Sequence, residues 1–159
     1  MILVLLGTQN KPFLRLLKKV EKLKKDGIIK DDIKAQIGST NFKSKYITCF
    51  DYVKKDKLLE YIKSASIIIT HAGVGTIIEC LNENKKVIVV PRKKEYKEHT
   101  NNHQVQIAKE FEEKKYVISV YNLSKLDIAL SGINDFKPKK YTSNNEKFKK
   151  SIVKYIDNM

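Results

Sequence analysis

The stretch that most constrains this chain runs from Ile67 to Gln104. Ile67, Ile68 and Ile69 form a short, β-branched apolar run. Such a run suits a strand buried on both faces of a parallel sheet. It passes directly into Thr70-His71-Ala72-Gly73-Val74-Gly75-Thr76. The glycines lack a Cβ, so the backbone there can turn tightly and approach a ligand closely. Ile77, Ile78 and Leu81 then recur at helical spacing. The order is strand, glycine turn, helix N-terminus, and the free N–H groups of such a helix suit a phosphate or another anion. A second apolar run, Val87 to Val90, stops at Pro91. After it Arg92, Glu95, Glu98, His99, Asn101, Asn102, His103 and Gln104 crowd together. In open α/β sheets ligands bind beyond the carboxyl ends of the strands, and both polar loops lie at such ends.

The flanking sequence repeats the pattern. Residues 2 to 6 read as a buried strand and Gly7-Thr8-Gln9-Asn10 as a turn. Pro12 suits a first helical turn. Phe13, Leu16, Leu17, Val20 and Leu23 predict an amphipathic helix that Gly27 ends. Strands are predicted over 33–37, 46–52 and 116–120. Helices are predicted over 57–63, 123–130 and the stretch from Val105 to Phe111. Residues 131 to 145 read as a loop with Gly132, Pro138, Ser143 and adjacent asparagines. Phe148, Ile152, Tyr155 and Ile156 predict a terminal amphipathic helix. Strands alternating with helices argue an α/β fold, a Rossmann-like parallel sheet flanked by helices, in one domain over 1–159.

Composition narrows the function classes. No apolar run approaches the ~20 residues that span a bilayer, and the opening apolar run is a first strand rather than a signal peptide. Cys49 and Cys80 sit in apolar settings without metal-ligand spacing, which predicts reduced core residues of a cytosolic protein. The net charge of +14 points to an anionic partner. Nearly all of it is lysine, however. Arg15 and Arg92 are the only arginines, although arginine is the better bidentate reader of bases and phosphates. No nucleic-acid-binding signature occurs, so no nucleic-acid partner is expected. The basic helix 11–25 and the Lys-rich stretch 137–154 are either a contact with anionic lipid or a solvated charged face.

Three segments in order, His71-Ala72-Gly73-x-Gly75-Thr76-x-x-Glu79, Val90-Pro91-Arg92 and Glu98-His99-x-Asn101-x-His103-Gln104, resemble the C-terminal domain of family 28 glycosyltransferases. Gly7-Thr8-Gln9-x-x-Pro12-Phe13-x-Arg15-Leu16-Leu17 is similar to that domain's start, and the resemblance covers roughly residues 1 to 125. The chain looks like the small catalytic subunits of two-part transferases in exopolysaccharide, capsule and dolichol-linked glycan synthesis. The resemblance implies the C-terminal, donor-binding half of a GT-B enzyme. It also implies a separate, membrane-anchored acceptor-binding subunit and a location at the cytoplasmic face of the membrane through that partner.

Roles carried over from the resemblance are residue by residue. Glu79 is implied to bind the ribose hydroxyls of UDP, since a carboxylate accepts two hydrogen bonds from a vicinal diol. Gly73, Gly75 and Thr76 match the turn that approaches the diphosphate, and Gly7 and Thr8 match the loop opposite. His99, Asn101, Asn102 and Gln104 match the segment that reads donor-sugar hydroxyls, a task amides suit because they donate and accept. His71 is either a ligand to phosphate or sugar, and a catalytic candidate, or a structural histidine. Arg92 either balances phosphate charge and positions its loop or forms a structural or inter-subunit salt bridge. The implied reaction is an inverting transfer of a hexose or N-acetylhexosamine from a UDP-sugar to a polyprenyl-diphosphate-linked sugar. No Asp-x-Asp motif occurs, so no metal is expected, and no cofactor beyond the UDP-sugar co-substrate. The catalytic base is expected from the partner. The alternative reading keeps the nucleotide-sugar site but makes the chain a non-catalytic regulatory subunit.

Overall fold

The computed structural model describes residues 1–143 and 146–157. The side chain of Tyr155 and the asparagines at 144 and 145 lie outside the described residues, and with them those parts of the loop and terminal-helix expectations. In chain order the elements are β1 (Ile2–Leu5), α1 (Leu14–Lys25), β2 (Ile33–Gln36), β3 (Thr48–Phe50), α2 (Lys55–Ser64), β4 (Ile67–Thr70), α3 (Val74–Asn82), β5 (Lys86–Val89), α4 (His103–Glu113), β6 (Ile118–Ser119), α5 (Leu126–Gly132) and α6 (Glu146–Asp157). Single 3-10 turns occupy Lys94–Tyr96 and Leu123–Lys125.

The strands form one six-stranded sheet of order β3-β2-β1-β4-β5-β6, and every pairing is parallel. The chain winds outward from β1 in one direction, then returns beside it as β4 and winds the other way. Between β1 and β4 the connections leave on opposite sides, which opens a crevice at their carboxyl ends. Register across that crevice is Leu5 beside Thr70.

Both faces of β1 are buried. Ile2, Val4 and Leu6 join a core with α1 and α5 residues such as Leu17, Val20 and Leu126. Leu3 and Leu5 join a second core with Ile62, Ile77, Ile107 and Phe111 from α2, α3 and α4. This alternation explains why the strand is continuously apolar. The last helix, α6, closes the second core. Its Phe148 ring meets Phe111 edge-on at 4.9 Å and Tyr116 at 5.4 Å.

Several boundaries differ from the sequence expectations for local reasons. Helix α1 starts at Leu14 rather than around Pro12, because Phe13 is non-helical and donates its N–H to Thr40 Oγ1 at 3.0 Å. Its end is as expected: Gly27 adopts φ +76°, its N–H bonds Lys24 O, and Ile28 N–H bonds Leu23 O. Strand β3 keeps three residues, not seven, since Ser44 Oγ captures the N–H groups of Tyr46 and Ile47 before they can join a ladder. Strand β6 is likewise trimmed to two residues, with Tyr116 N–H spent on Phe111 O. Helix α5 runs on through Gly132, inside the expected loop. Cys80 is buried, whereas Cys49 is only half-buried on the edge strand, so it is not a full core residue; both are free thiols.

Candidate functional site

Two cavities meet at the crevice between β1 and β4. The larger, about 930 Å³, is lined by Gly7 and Thr8 on one side and by Gly75, Thr76 and Glu79 of α3 on the other. The smaller, about 200 Å³, is lined by Thr8, His71, Gly73, His99, His103 and Gln104 among others. Thr8 and His71 belong to both, so they stand where the two spaces join.

Helix α3 gives the larger cleft its polar character. Gly73 is its N-cap and no side chain caps it. Its first N–H groups and the positive end of its dipole are therefore left for an anion. A Cβ built on Gly75 would meet nothing within 4 Å, so the backbone there borders open space. Glu79 lies one turn further along the same helix and lines the same cleft.

The other two glycines have a different reason. A Cβ on Gly73 would lie 2.2 Å from His71 Nε2, and one on Gly7 would lie 2.4 Å from the same atom. Gly7 also needs its φ of +79°. Both glycines make room for one imidazole, which is wedged between the two loops. Thr70 Oγ1 donates to Leu5 O at 3.2 Å and lies 3.3 Å from His71 Nδ1. With its proton committed, the hydroxyl can only accept from the ring, which assigns the Nδ1–H tautomer and leaves a lone pair on Nε2. Burial, then the positive charge of Arg92, hold His71 at about 4, so the ring is neutral at physiological pH.

Arg92 and Gln104 tie the loops into one frame. Arg92 is 1% exposed. It donates to Leu6 O at 2.7 Å, Lys11 O at 2.8 Å and Glu98 O at 3.3 Å, and its guanidinium lies 4.8 Å from the Phe13 ring centre. Burial lowers its pKa to about 10, against the pull of Glu98, so it stays charged at neutral pH. Gln104 Oε1 accepts from Ala72 N–H at 3.2 Å and Arg92 N–H at 3.0 Å, joining the loops after β4 and β5. Glu98 receives Arg15 Nε at 2.6 Å and Lys93 N–H at 3.1 Å.

The candidate residues thus divide. Gly7, Thr8, His71, Gly75, Thr76 and Glu79 line the larger cleft; Thr8, His71, Gly73, His99 and Gln104 line the smaller one. Arg92, Asn101 and Asn102 line neither. Arg92 serves as a clamp on carbonyls rather than as half of a salt bridge. Asn101 Oδ1 accepts from His103 N–H and Asn102 Oδ1 from Lys94 N–H, so both amide oxygens shape the loop. His99 Nδ1 accepts from Asn101 N–H, and burial lowers the pKa of its ring. Sequence reasoning missed Gln36, Tyr52 and Asn82 in the larger cleft and Ile156 in the smaller. The polar side chain at the carboxyl end of β2, Gln36, was the available signal.

A doubly wound sheet with its crevice at β1 and β4, an uncapped helix start and a carboxylate one turn on define a Rossmann-like half whose crevice suits an anion. The chain belongs to glycosyltransferase family 28, whose C-terminal-domain model matches residues 1–159. Among curated relatives, the UDP-N-acetylglucosamine transferase subunit ALG13 of Candida albicans is 35% identical over 86 residues, 54% of this chain and 28% of that protein. The human subunit of the same name is 33% identical over 94 residues, 59% of this chain and 8% of that protein. The chain therefore matches well under half the length of these relatives. The solution structure of ALG13 superposes with a TM-score of 0.62 at 22% identity, over 96% of this chain and 94% of that one. The Acinetobacter baumannii MurG structure gives 0.54 at 14% identity, over 97% of this chain and 44% of that one. These structures share the fold, a Rossmann-like α/β half of the kind found in GT-B glycosyltransferases.

Proposed function

We propose that this chain is the donor-binding catalytic subunit of an inverting, metal-independent glycosyltransferase, moving a sugar from a UDP-sugar to a polyprenyl-diphosphate-linked acceptor. One observation carries the reading. Glu79 and the uncapped start of α3 share one wall of a 930 Å³ cleft, facing Gly7 and Thr8 at the sheet's switch point. A ribose diol on Glu79 puts the diphosphate against the N–H groups of α3. As the glycosidic bond to the anomeric carbon breaks, the diphosphate gains negative charge. Preplaced N–H groups and the helix dipole stabilise that charge without reorganisation. Donor specificity for N-acetylglucosamine is the choice favoured by the names of the relatives.

The smaller cavity, beyond Thr8 and His71, is the space for the donor sugar. His71 contributes an acceptor lone pair on Nε2 to that junction and holds both glycine loops apart. The base that deprotonates the acceptor hydroxyl, and the acceptor site itself, belong to a membrane-anchored partner subunit. A partner that brings the chain to the cytoplasmic membrane face completes this reading; among the described residues no helix is long and apolar enough to cross a membrane. Co-expression with candidate acceptor subunits, followed by a sugar-transfer assay across UDP-sugars, tests it. Transfer that depends on both Glu79 and the partner is expected; absence of turnover with every donor and partner refutes it.

A further inference from the structure

We propose that the groove beside the outer strands β2 and β3 is a docking site for an amphipathic helix with acidic flanks, contributed by another protein chain. It lies apart from the donor cleft and does not rest on the donor-half reading. The crossover pattern points there first. β1, β2 and β3 are neighbours, parallel and consecutive, so the β1–β2 and β2–β3 connections cross on the same face of the sheet. The first connection places α1 on that face. The second, residues 37–47, holds no helix, although parallel strands are usually joined by one. Local bonds consume its main chain: Thr40 N–H donates to Ile37 O, and Ser44 Oγ accepts from Tyr46 and Ile47 N–H. The helix layer next to α1 is therefore missing, and a groove of about 970 Å³ stands in its place.

The groove has the chemistry of an amphipathic partner. Ile33, Ile37, Phe42, Tyr46 and Cys49 line it, and all belong to or pack against the core under α1. All but Ile33 are only half-buried. A strip of core left open to water gains by being covered. Charge then selects the flanks. Four lysines line the groove, Lys24, Lys34, Lys43 and Lys45, against one carboxylate, Asp32. Lys34 turns its ammonium to the opposite face, over the Tyr61 ring at 4.5 Å. Glu21 of α1 is near enough to act on Cys49, whose thiol is pushed up by burial and then by that charge. Lys43 and Lys45 are exposed, and α1 adds exposed Lys18, Lys22 and Lys25 beside Lys24. Basic surroundings of this kind are complemented by acidic flanks.

Shape decides the form of the partner. A flat bilayer does not enter a concave groove, whereas a helix does. A helix ~10 Å across occupies about 80 Å³ per ångström of length, so the groove takes about two turns. Addition of a strand is less suited. β3 has three residues, and Ser44 already holds the N–H groups just before it.

Cys49 reports on the groove directly, because it lines it, while the other thiol, Cys80, is buried and pushed up to about 12. The native full chain is alkylated with N-ethylmaleimide, alone and with a synthetic helical peptide of about 15 residues. The peptide carries leucines at i, i+3, i+4 and i+7 and glutamates on both flanks. Cys49 modification is expected to slow in proportion to peptide occupancy. Lys43→Glu combined with Lys45→Glu should weaken the peptide about tenfold, with Tm and UDP binding unchanged because both positions are exposed. A peptide with the same leucines and lysine flanks should leave wild-type Cys49 unprotected. No protection by the glutamate peptide, or equal protection by both peptides, overturns the assignment. So does protection by phosphatidylglycerol vesicles in place of the peptide, or protection that grows with the concentration of the chain alone. UDP titration is a separate readout, so each of these results leaves the donor-half reading untouched.

Discussion

Replacing Arg92 with methionine removes the clamp between the loop after β1 and the loop after β5. Methionine refills most of the volume against Phe13 but donates nothing. Three charge-assisted bonds disappear, to Leu6 O, Lys11 O and Glu98 O. Bonds of this kind contribute about 1.5–3 kcal/mol each. Two facts reduce the sum. The buried Nε of Arg92 has no partner, so wild type already carries a desolvation cost there. Glu98 also keeps Arg15 and Lys93 N–H, so the variant leaves no carboxylate orphaned. The expected net loss is about 3 kcal/mol, toward the low end for breaking a buried charged network. For a chain of this size that lowers Tm by about 6–12 °C. Differential scanning fluorimetry and urea unfolding would measure it. Nucleotide binding should weaken as well, since Gly7 and Thr8 lose their tie to the opposite loop. A fall in Tm below about 3 °C refutes the clamp, because it would mean that the three carbonyls do without the guanidinium.

Three further outcomes follow from the site. His71 has a folded pKa of about 4 against an ordinary 6.5, so the unfolded chain binds the extra proton between those values; its stabilising effect is complete above pH 6.5 and falls as pH drops toward 4. Urea unfolding at pH 7 and pH 4.5 should show about 2 kcal/mol more loss for wild type than for His71→Gln, and equal losses contradict the buried neutral ring. Gly73→Ala puts a methyl 2.2 Å from Nε2 and should lower Tm markedly, whereas Gly75→Ala, with open space around it, should leave Tm unchanged and weaken UDP binding; the reverse pattern in thermal shifts and titration would refute the division of the glycines. Burial pushes the Cys80 thiol up to about 12, so a thiol reagent should modify Cys80 only in denaturant, with half-buried Cys49 reacting first and slowly; two fast equivalents in the native state contradict this.

What was legible in the sequence was whatever rests on local pattern. The Ile67–Ile69 run, the turn at Gly73 and the periodic Ile77 and Leu81 give β4, the turn and α3 without reference to the rest of the chain, and Gly27 marks the end of α1 by its own backbone requirement. What was not legible depends on partners distant in sequence. Arg92 acts on three main-chain carbonyls, up to 86 positions away, and a carbonyl leaves no trace in residue identity. Gly7 and Gly73 read as glycines for a ligand, because nothing local reveals that an imidazole from the end of β4 fills the space between them. The asparagines at 101 and 102 read as sugar-binding amides, yet their oxygens cap loop N–H groups two and eight positions away, a common competing use of such side chains. Short edge strands fail for a local reason: a single hydroxyl, Ser44, redirects the N–H groups of Tyr46 and Ile47, the first two of the seven residues in the predicted strand.

The central claim is that α3 and Glu79 hold a UDP-sugar. Saturation-transfer NMR without added metal, on wild type and Glu79→Ala, addresses it directly. UDP, UDP-N-acetylglucosamine, UDP-galactose and UDP-glucose would be compared with NAD and ATP, alone and with the partner subunit present. The account predicts selective UDP-sugar signals in wild type that Glu79→Ala abolishes while its Tm stays unchanged. UDP-sugar signals that persist in Glu79→Ala, or no UDP-sugar signal even in the assembled pair, would contradict it.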